Sequence, residues 1–556
     1  MAEKIKQQSL LQRWQALDNE FSSWRNHYRE INENLSPRTG RFFLTETNRG
    51  DAKRWNDIYD SSATSCLDTL SAGMMSGATS PARPWFRMAV PDEDMMQSES
   101  VKLWLSELTV RMLRVFNRSN TYRTLHTIYE EDAAYGTAAS ILVDDYRTVI
   151  HHHCLTAGEY RLAQDYKGNV NALYRQFQKT VVELVAEFGY KNCSRFVQQA
   201  YDTGALDTYV DVCHAIEPRE DRDISKPDNR NMPYRSVYFE LHSDQQDKFL
   251  REGGMRSFRV LAPRWAVSGG DVYGTSPGMR ALGDIKQLQH QQYAKAMAID
   301  YQVDPAKIFP TSAKNSMIDT LPGGISFVDT TAPQAVRNAF NVELNLQYLL
   351  EDISDIRRRI DAVFFTDLFR MLANDTTGSM TATEVAQRQE EKLLLLGPVI
   401  ERLHDELLDP MITITFESML AAGLVPPPPP ELQGIDLQVE FVSMLAQAQR
   451  AIQTKSVDRF VLTLGQIASF KPDVLDKFDQ DYWAETYSDA LGVDPKLIVG
   501  DGDVALVRKQ RQAQQAAAQA AAMGESMSKS VGNLAGANTQ DKNALTDVTS
   551  AFSGYT

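Results

Sequence analysis

The stretch SPGMRALGDIKQLQHQQYAKAMAIDYQV, Ser276 to Val303, contains a complete helix signal. Ser276 is a favourable N-cap, and Pro277 suits the first helical position, where a missing N–H has no cost. Apolar residues then recur at helical spacing, at Met279, Leu282, Ile285 and Leu288. The pattern ends before Asp304-Pro305. At about 1.5 Å per residue, we expect a helix about 40 Å long.

A second helix is predicted after a short module. Its apolar residues are spaced 3-4-3-4-3, at Leu346, Leu349, Ile353, Ile356, Ile360 and Val363. The residues between the two helices are rich in Pro, Gly and Thr, which favours loops and short strands. The sequence therefore predicts a helical hairpin whose tip is replaced by a small module.

A polar loop and a third long helix follow. Residues Asn374 to Gly378 have no apolar anchor, so we expect a mobile loop. Thr381 and Glu384 have the spacing of a capping box, which predicts a sharply defined helix start. The first turns are polar, and a buried stripe begins near Leu393. Pro398 lacks a backbone donor and is expected to kink this helix.

The N-terminal part is predicted to be helical, followed by a mixed region with more strand. The first helix has a single apolar stripe, formed by Leu10, Trp14, Leu17, Phe21, Trp24, Tyr28, Ile31 and Leu35. Further helices are expected near residues 58–75 and 98–116. Residues 139–214 contain short runs of β-branched and aromatic residues, and Tyr166 to Asn169 (YKGN) resembles a hairpin turn.

The C-terminal part begins with an extended connector, VPPPPPEL at Val425 to Leu432. A smaller helical part is expected at about residues 442–491. Residues 503–523 are rich in Ala and Gln, with high helix propensity but little apolar bulk, so we expect this helix to pack against copies of itself. The remaining residues, 524–556, are rich in Gly, Ser and Asn and are expected to be mobile.

Composition excludes several classes of protein. The 556 residues carry a formal net charge of -15, which argues against a broad nucleic-acid-gripping surface. The longest apolar runs, such as Leu393 to Ile400, are too short for a membrane span. The N-terminus lacks the pattern of a secretory signal, so we expect folding in a cytoplasm. The four cysteines are too few and scattered for a disulfide framework and are interpreted as reduced thiols.

Two polar clusters invite a chemical interpretation. His151 to Cys154 (HHHC), with Cys213-His214, could suggest a metal site. Adjacent residues on a strand point to opposite faces, which favours an ordinary half-exposed strand, and no metal is predicted. The basic run Arg357 to Arg359 fans out around a helix, and a solvated face is favoured over a DNA contact. Motifs for nucleotide hydrolysis, zinc proteolysis and serine hydrolysis are missing, so no catalytic residue and no cofactor are predicted.

The order of these parts resembles the head-to-tail connector, or portal, proteins of short-tailed (podovirus) double-stranded DNA phages. The segments that carry the resemblance are PWFRM at Pro84 to Met88, GEYRLAQDYKGNVNALYRQF at Gly158 to Phe177, YGTSPGMRALGDIKQLQ at Tyr273 to Gln289, TATEVAQR at Thr381 to Arg388 and FVSMLAQAQR at Phe441 to Arg450. The resemblance as a whole extends from the first helix to the Ala/Gln helix and so covers nearly the whole chain. Their order and spacing are more specific than any one of them.

The resemblance implies an α+β, predominantly helical portal fold assembled as a ring. The implied parts are a wing (1–275), a first stem helix (276–303), a clip (304–342), a second stem helix (343–366), a tunnel loop (367–380), a long kinked wing helix (381–425), a crown (426–500), a barrel helix (501–523) and a mobile tail (524–556). No enzymatic activity is implied.

The resemblance also implies function and partners. Twelve copies would form a channel at one capsid vertex of the virion, after assembly in the host cytoplasm. Double-stranded DNA would pass through it without sequence specificity during packaging and ejection. The implied partners are the terminase large subunit, the major capsid and scaffolding proteins and the tail adaptor or tube proteins, with no membrane span.

Candidate residues follow from this division of the chain. The candidates for the DNA channel are Arg357, Arg358, Arg370, Asn374, Thr376 and Thr377. The candidates for docking of the motor and tail at the clip are Lys307, Lys314 and Asn315. Two alternatives remain open: another helical, oligomeric phage tail adaptor or scaffold protein, and a metal-dependent enzyme that uses the histidine cluster.

Overall fold

The computed structural model describes most of the chain, with gaps. The described residues are 7–37, 39–42, 58–96, 98–226, 228–241, 248–303, 307–308, 337–338, 346–373, 396–432, 437–442, 460–467, 470, 478–480, 482–483, 487 and 501–535. Within them the fold is mostly helical with some sheet. No described helix is both long and apolar enough to cross a membrane.

Among the described residues, seven α-helices precede the long central pair. They are α1 (Gln7–Asn34), α2 (Ser62–Ala78), α3 (Glu93–Met96), α4 (Glu99–Arg118), α5 (Thr121–Tyr135), α6 (Val181–Phe188) and α7 (Arg195–Asp202). The predicted stripe on α1 is confirmed, and it covers two cores. Its first half, including Trp14, packs on a sheet, while its second half, including Tyr28, joins the main core. Helix α5 had not been predicted, although most of its residues are buried.

In the part of the chain that the structure describes, most strands belong to two antiparallel sheets of three and five strands. The first eight strands are β1 (Phe86–Ala89), β2 (Ala139–Asp145), β3 (Val149–Leu155), β4 (Tyr160–Gln164), β5 (Val170–Thr180), β6 (Tyr209–Pro218), β7 (Tyr234–Glu240) and β8 (Arg251–Met255). Two of them, β2 and β3, form a three-stranded sheet with β9 (Val260–Leu261) in the order β3-β2-β9. A five-stranded sheet has the order β4-β5-β6-β7-β8. The predicted hairpin turn lies between β4 and β5, with Gly168 at φ 86°, a conformation that favours glycine. The mixed region therefore extends beyond residue 214.

The predicted hairpin is present as α8 (Pro277–Val303) and α9 (Leu346–Val363). Two short strands, β10 (Lys307–Ile308) and β11 (Arg337–Asn338), pair antiparallel in the segment between them. Helix α8 begins as predicted, because the Ser276 hydroxyl accepts a hydrogen bond from the Met279 N–H at 2.9 Å. The same hydroxyl donates to the Ala134 carbonyl at 2.7 Å, so the cap also fastens α8 to α5.

The chain after α9 differs from the prediction. The tunnel loop was expected to begin at Asp367, but α10 (Thr366–Ala373) is helical. Phe365, at φ 54°, separates α9 from α10 and turns the chain sharply. Helix α10 then lies against α2 where Gly73 leaves room for the Phe369 ring. Buried apolar residues on α10 therefore override the loop prediction, and the expected loop starts no earlier than residue 374.

The described part of the next long helix is irregular before Pro410. Residues 396–403 are helical, His404–Leu408 form a π-helical turn, and α11 (Asp409–Ala421) continues. Pro410 cannot donate a backbone hydrogen bond, and a wider turn before it relieves the clash with the preceding carbonyls. The described irregularity is thus at Pro410. The kink predicted at Pro398 would involve the turn before residue 396, which lies outside the described residues. The predicted capping box at Thr381 and Glu384 lies outside the described residues.

The C-terminal part contains a short strand, β12 (Gln438–Phe441), that pairs antiparallel with β1. Residues 460–467 are helical within the predicted smaller helical part. Helix α12 (Asp501–Ala535) is longer than predicted, because residues 524–535, expected to be mobile, continue it. Extending an existing helix costs each Gly or Ser at most about 1 kcal/mol, so the Ala-rich turns can propagate into this segment.

Candidate functional site on the paired helices

Helices α8 and α9 run antiparallel and are joined by polar contacts at two levels. Arg359 on α9 pairs with Asp284 on α8 at 3.3 Å. One level farther from the start of α8, Gln291 donates to Asp352. The apolar stripe of α9, including Ile353, is buried against the core. The paired helices are therefore a preformed unit.

Asp60 joins the segment before α2 to both paired helices. Its side chain is almost fully buried and accepts from Arg357 on α9 at 2.7 Å and from Gln292 on α8 at 2.9 Å. The Gln289 side chain holds the Asp60 backbone through its N–H and carbonyl, at 2.9 and 2.8 Å. Burial alone would raise the pKa of Asp60, but hydrogen bonds from Ser62 and Arg357 outweigh it and lower the pKa. The carboxylate is therefore ionised and structural.

These contacts separate the three consecutive arginines. Arg357 is engaged with Asp60, and Arg359 bridges to Asp284. Arg358 points away from the pair with 73% of its side chain exposed, and its Asp355 contact is long, at 4.0 Å. The run fans out around the helix, as expected. Arg358 is the member best placed to meet a partner.

Arg370 occupies an exposed position on α10. Behind it, the Cys66 thiol on α2 donates to Asp361 at 3.1 Å. Burial, and then the hydrogen bond to Asp361, raises the pKa of Cys66 to about 12, so this thiol is protonated and unreactive. The α2–α10 contact therefore presents a cation on a rigid support.

Of the remaining predicted contact residues, the structure describes Lys307. Asn374, Thr376 and Thr377 of the proposed channel loop, and Lys314 and Asn315 of the proposed clip, lie outside the described residues. Lys307 lies on β10, where its backbone is paired with Asn338. It therefore lies at the start of the module, four residues after the end of α8.

The consecutive histidines lie on strand β3, and their side chains alternate between its two faces. His152 on β3 is buried and its ring contacts the Thr121 hydroxyl at 3.1 Å, whereas His151 and His153 lie together on the other face with ring centroids 5.0 Å apart. Burial, followed by the charges of its neighbours, lowers the pKa of His152 to about 3. His214 is buried elsewhere and stacks on a tyrosine ring at 3.8 Å. Among the described side chains, no three His, Cys, Asp or Glu form a group that could hold a metal.

Sequence reasoning missed a buried ionic network at the π-helical turn. Arg264, 3% exposed at its side chain, pairs with Glu406 in that turn at 2.7 Å. The same guanidinium donates to the carbonyl of Gly168 in the β4–β5 turn at 2.8 Å. Arg402 reaches Glu406 from one helical turn earlier, at 3.1 Å. Arg264 thus fastens the irregular helix to the sheet domain, through partners too distant in sequence for a local pattern to indicate.

A buried acid lies beside this network. Burial, and then the charge of Glu406, raises the pKa of Asp132 on α5 to about 8, although its carboxyl accepts a backbone hydrogen bond from Trp265. The adjacent Glu131 is also fully buried, and burial raises its pKa well above its usual range while its carboxyl accepts from Thr156. Both carboxyls therefore favour the neutral form in the folded protein.

The far ends of the paired helices expose large apolar side chains. Tyr348 on α9 is 71% exposed, and Leu350 beside it is also exposed. On α8, Tyr293 and Met297 are exposed, and Tyr293 packs against the Tyr59 ring at 5.2 Å. A soluble monomer gains nothing from such a surface, and contiguous exposed apolar groups commonly mark protein contacts.

Comparisons with known proteins match nearly the whole chain. The family model described as bacteriophage head to tail connecting protein matches residues 7–499. The chain is 57% identical over 557 residues to the probable portal protein of Bordetella phage BPP-1, covering all of both chains. It is 42% identical over 553 residues to the portal protein of Salmonella phage epsilon15, covering 99% of each chain.

Solved structures give a much weaker likeness. The neck of an empty gene transfer agent particle, computed with C6 symmetry, has a TM-score of 0.31 and 9% identity. That match covers 80% of this chain and 95% of the other. The virion of a native gene transfer agent particle gives a TM-score of 0.28 and 12% identity, covering 76% and 93%. At these scores, no argument rests on the structural likeness.

Proposed function

The chain belongs to the bacteriophage head-to-tail connecting protein family and acts as a portal, and we propose that it does so as a dodecameric ring at one capsid vertex. DNA enters the head through the ring during packaging and leaves through it during ejection. The terminase large subunit docks first, and tail adaptor or tube proteins replace it once the head is full. The rim contacts the major capsid and scaffolding proteins.

The observation that carries the ring proposal is the half-covered helix pair. Helix α9 buries one stripe on its own subunit and exposes Tyr348 and Leu350 on its other sides. A ring of head-to-tail contacts lets each subunit cover such a surface on the next, and closure leaves no copy uncovered. Polar contacts such as Arg359–Asp284 join the two helices of the pair within one subunit.

The parts of the proposed portal map onto the observed elements as follows. The sheets and α1 to α7 form the wing, α8 and α9 the stem, and the segment containing β10 and β11 the clip. The proposed tunnel loop is shortened to residues 374–380, because residues 367–373 belong to α10. The helix containing the π turn is the kinked wing helix, residues 426–500 the crown, and α12 the barrel helix.

The proposed channel holds DNA loosely. The net charge of -15 repels the phosphate backbone and lets the duplex slide, while sparse cations guide it. Arg358 and Arg370 are exposed and suit this role. Arg357, predicted to be a channel residue, is assigned instead to holding Asp60 in place. Thr376 and Thr377 contribute neutral hydrogen-bonding groups to the loop.

Deletion of Asn374 to Gly378 tests the proposed function. We expect assembled rings that fail to package or retain DNA, because in the proposed portal this loop meets the duplex inside the channel. The control deletes the equally long exposed segment Asp221 to Ser225, and we expect it to package normally. Normal phage yield from the Asn374 to Gly378 deletion would contradict the loop's role.

A further inference from the structure

One segment of helix α12, between Asp503 and Glu525, carries a local positive charge on an acidic protein. Residues 504–523 contain Arg508, Lys509 and Arg511 and no Asp or Glu. Residues 505–523 are all exposed, and Leu506 alone is 60% exposed. The remainder of the chain therefore carries net charge -18, since the total is -15 and this segment contributes +3. The sign of the charge reverses locally.

The helix separates this charge from its small residues. With 3.6 residues per turn, Arg508 and Arg511 fall on one face together with three glutamines. The three glutamines are Gln512, Gln515 and Gln519. Leu506, Ala513 and Ala517 fall on the opposite face. Gln510 also falls on this opposite face. The two arginines therefore distinguish the first side, which we call the donor side.

The donor side matches a polyanion with closely spaced charges. Arg508 and Arg511 are about 4.5 Å apart along the helix axis, and each DNA strand carries one phosphate per about 3.4 Å. Guanidinium groups bind phosphate through paired N–H donors, and glutamine amides add neutral donors without fixing a sequence. We propose that the face formed by Arg508 and Arg511, with Lys509 on its flank about 100° around the helix from Arg508, binds the phosphate backbone of duplex DNA.

This inference rests on the proposed portal function, because it supplies a contact for DNA at the barrel helix. It assigns DNA a second place on the chain besides the proposed channel residues. There the contact is attractive rather than repulsive. An acidic partner protein, or an acidic surface on a neighbouring copy, would require the same cations and is separated from DNA by the experiment.

The test is duplex DNA binding by the full-length protein as a function of salt. The variant combines Arg508→Gln, Lys509→Gln and Arg511→Gln, which keeps helix propensity and changes only exposed side chains. The matched control makes the same charge change on the wing, with Lys191→Gln, Arg195→Gln and Arg222→Gln, all at exposed positions. A labelled blunt-ended duplex is the probe, and fluorescence anisotropy gives the affinity.

We expect the helix variant to bind roughly tenfold or more weakly at low salt and the control to bind as the wild type does. Each lost phosphate contact reduces the slope of log affinity against log salt by about 0.9, so three contacts reduce it by about 2.7 per engaged subunit. An unchanged slope, or an equal loss in the control, would overturn the proposal. So would a variant whose DNA affinity is retained while its rings fall apart, because the cations would then serve a contact between copies. Absence of rings in the wild type would instead count against the proposed portal function.

Discussion

Replacing Arg264 by Met should lower the free energy of unfolding more than replacing any exposed arginine, because Arg264 joins the irregular helix to the sheet domain. The Arg264 side chain is 3% exposed and donates to Glu406 and to the Gly168 carbonyl, at 2.7 and 2.8 Å. Removing one member of a buried ion pair typically costs about 3–5 kcal/mol, because the other charge stays buried without its partner. Glu406 keeps Arg402 as a second partner, which places the expected cost near the lower value.

Arg402→Met is the matched control, because Arg402 contacts the same carboxylate. It is 35% exposed and lies one helical turn from Glu406, a geometry that contributes about 0.3–0.5 kcal/mol. Urea unfolding followed by tryptophan fluorescence gives the free energy of unfolding for each variant, and Trp265 adjoins the network in sequence. Adding Glu406→Gln to Arg264→Met should recover part of the loss, since no carboxylate then remains buried beside an absent cation. Equal costs for the two arginine variants, or no recovery in the double variant, would refute this reasoning.

Three further predictions concern the same framework. Asp132, whose folded-state pKa of about 8 lies above an unfolded value near 3.9, holds its proton only in the folded state between these pH values, so stability should fall as pH rises from 4 to 8. Asp132→Asn should flatten that decline and be the more stable form at pH 8 in urea titrations, and parallel curves for both proteins would contradict the assignment. Asp60→Ala should cost about 1–3 kcal/mol because it frees Arg357 and breaks the Asp60 carboxylate's other hydrogen bonds, whereas the exposed control Asp355→Ala should cost less than about 0.5 kcal/mol; similar melting shifts for the two would argue against the Asp60 junction. Gly278→Leu should lower the melting temperature of the protein markedly, because a side chain there meets the α5 backbone, and an unchanged melting curve would show that α8 does not depend on this close approach.

Local periodicity predicted the elements whose signals are complete within a few turns. Ser276-Pro277 contains both the cap and the first helical residue, and the stripe through Ile285 specifies the buried face, so α8 was predicted with its correct start. The same holds for α1 and for the turn at Gly168. In each case the deciding interactions join residues close together in the sequence.

Tertiary contacts decided the elements that the sequence did not reveal. Residues 367–373 were assigned to the tunnel loop by the family resemblance alone, yet they are helical and the Phe369 ring packs against Gly73 on a distant helix. The Arg264–Glu406 pair spans 142 residues and has no local motif. The sequence likewise shows only that Arg357 is charged, because its partner Asp60 lies 297 residues away. Such partners determine which candidate cation is structural and which is available to a ligand.

The proposed ring is tested most directly by electron microscopy of the purified full-length protein, with native mass measurement of the same sample. We expect closed rings of twelve subunits with a central hole wide enough to pass duplex DNA. The exposed residues at the far ends of α8 and α9, Tyr293 and Tyr348 among them, should lie at contacts between neighbouring subunits. A monomer at all concentrations, or an open helical filament, would contradict the central claim.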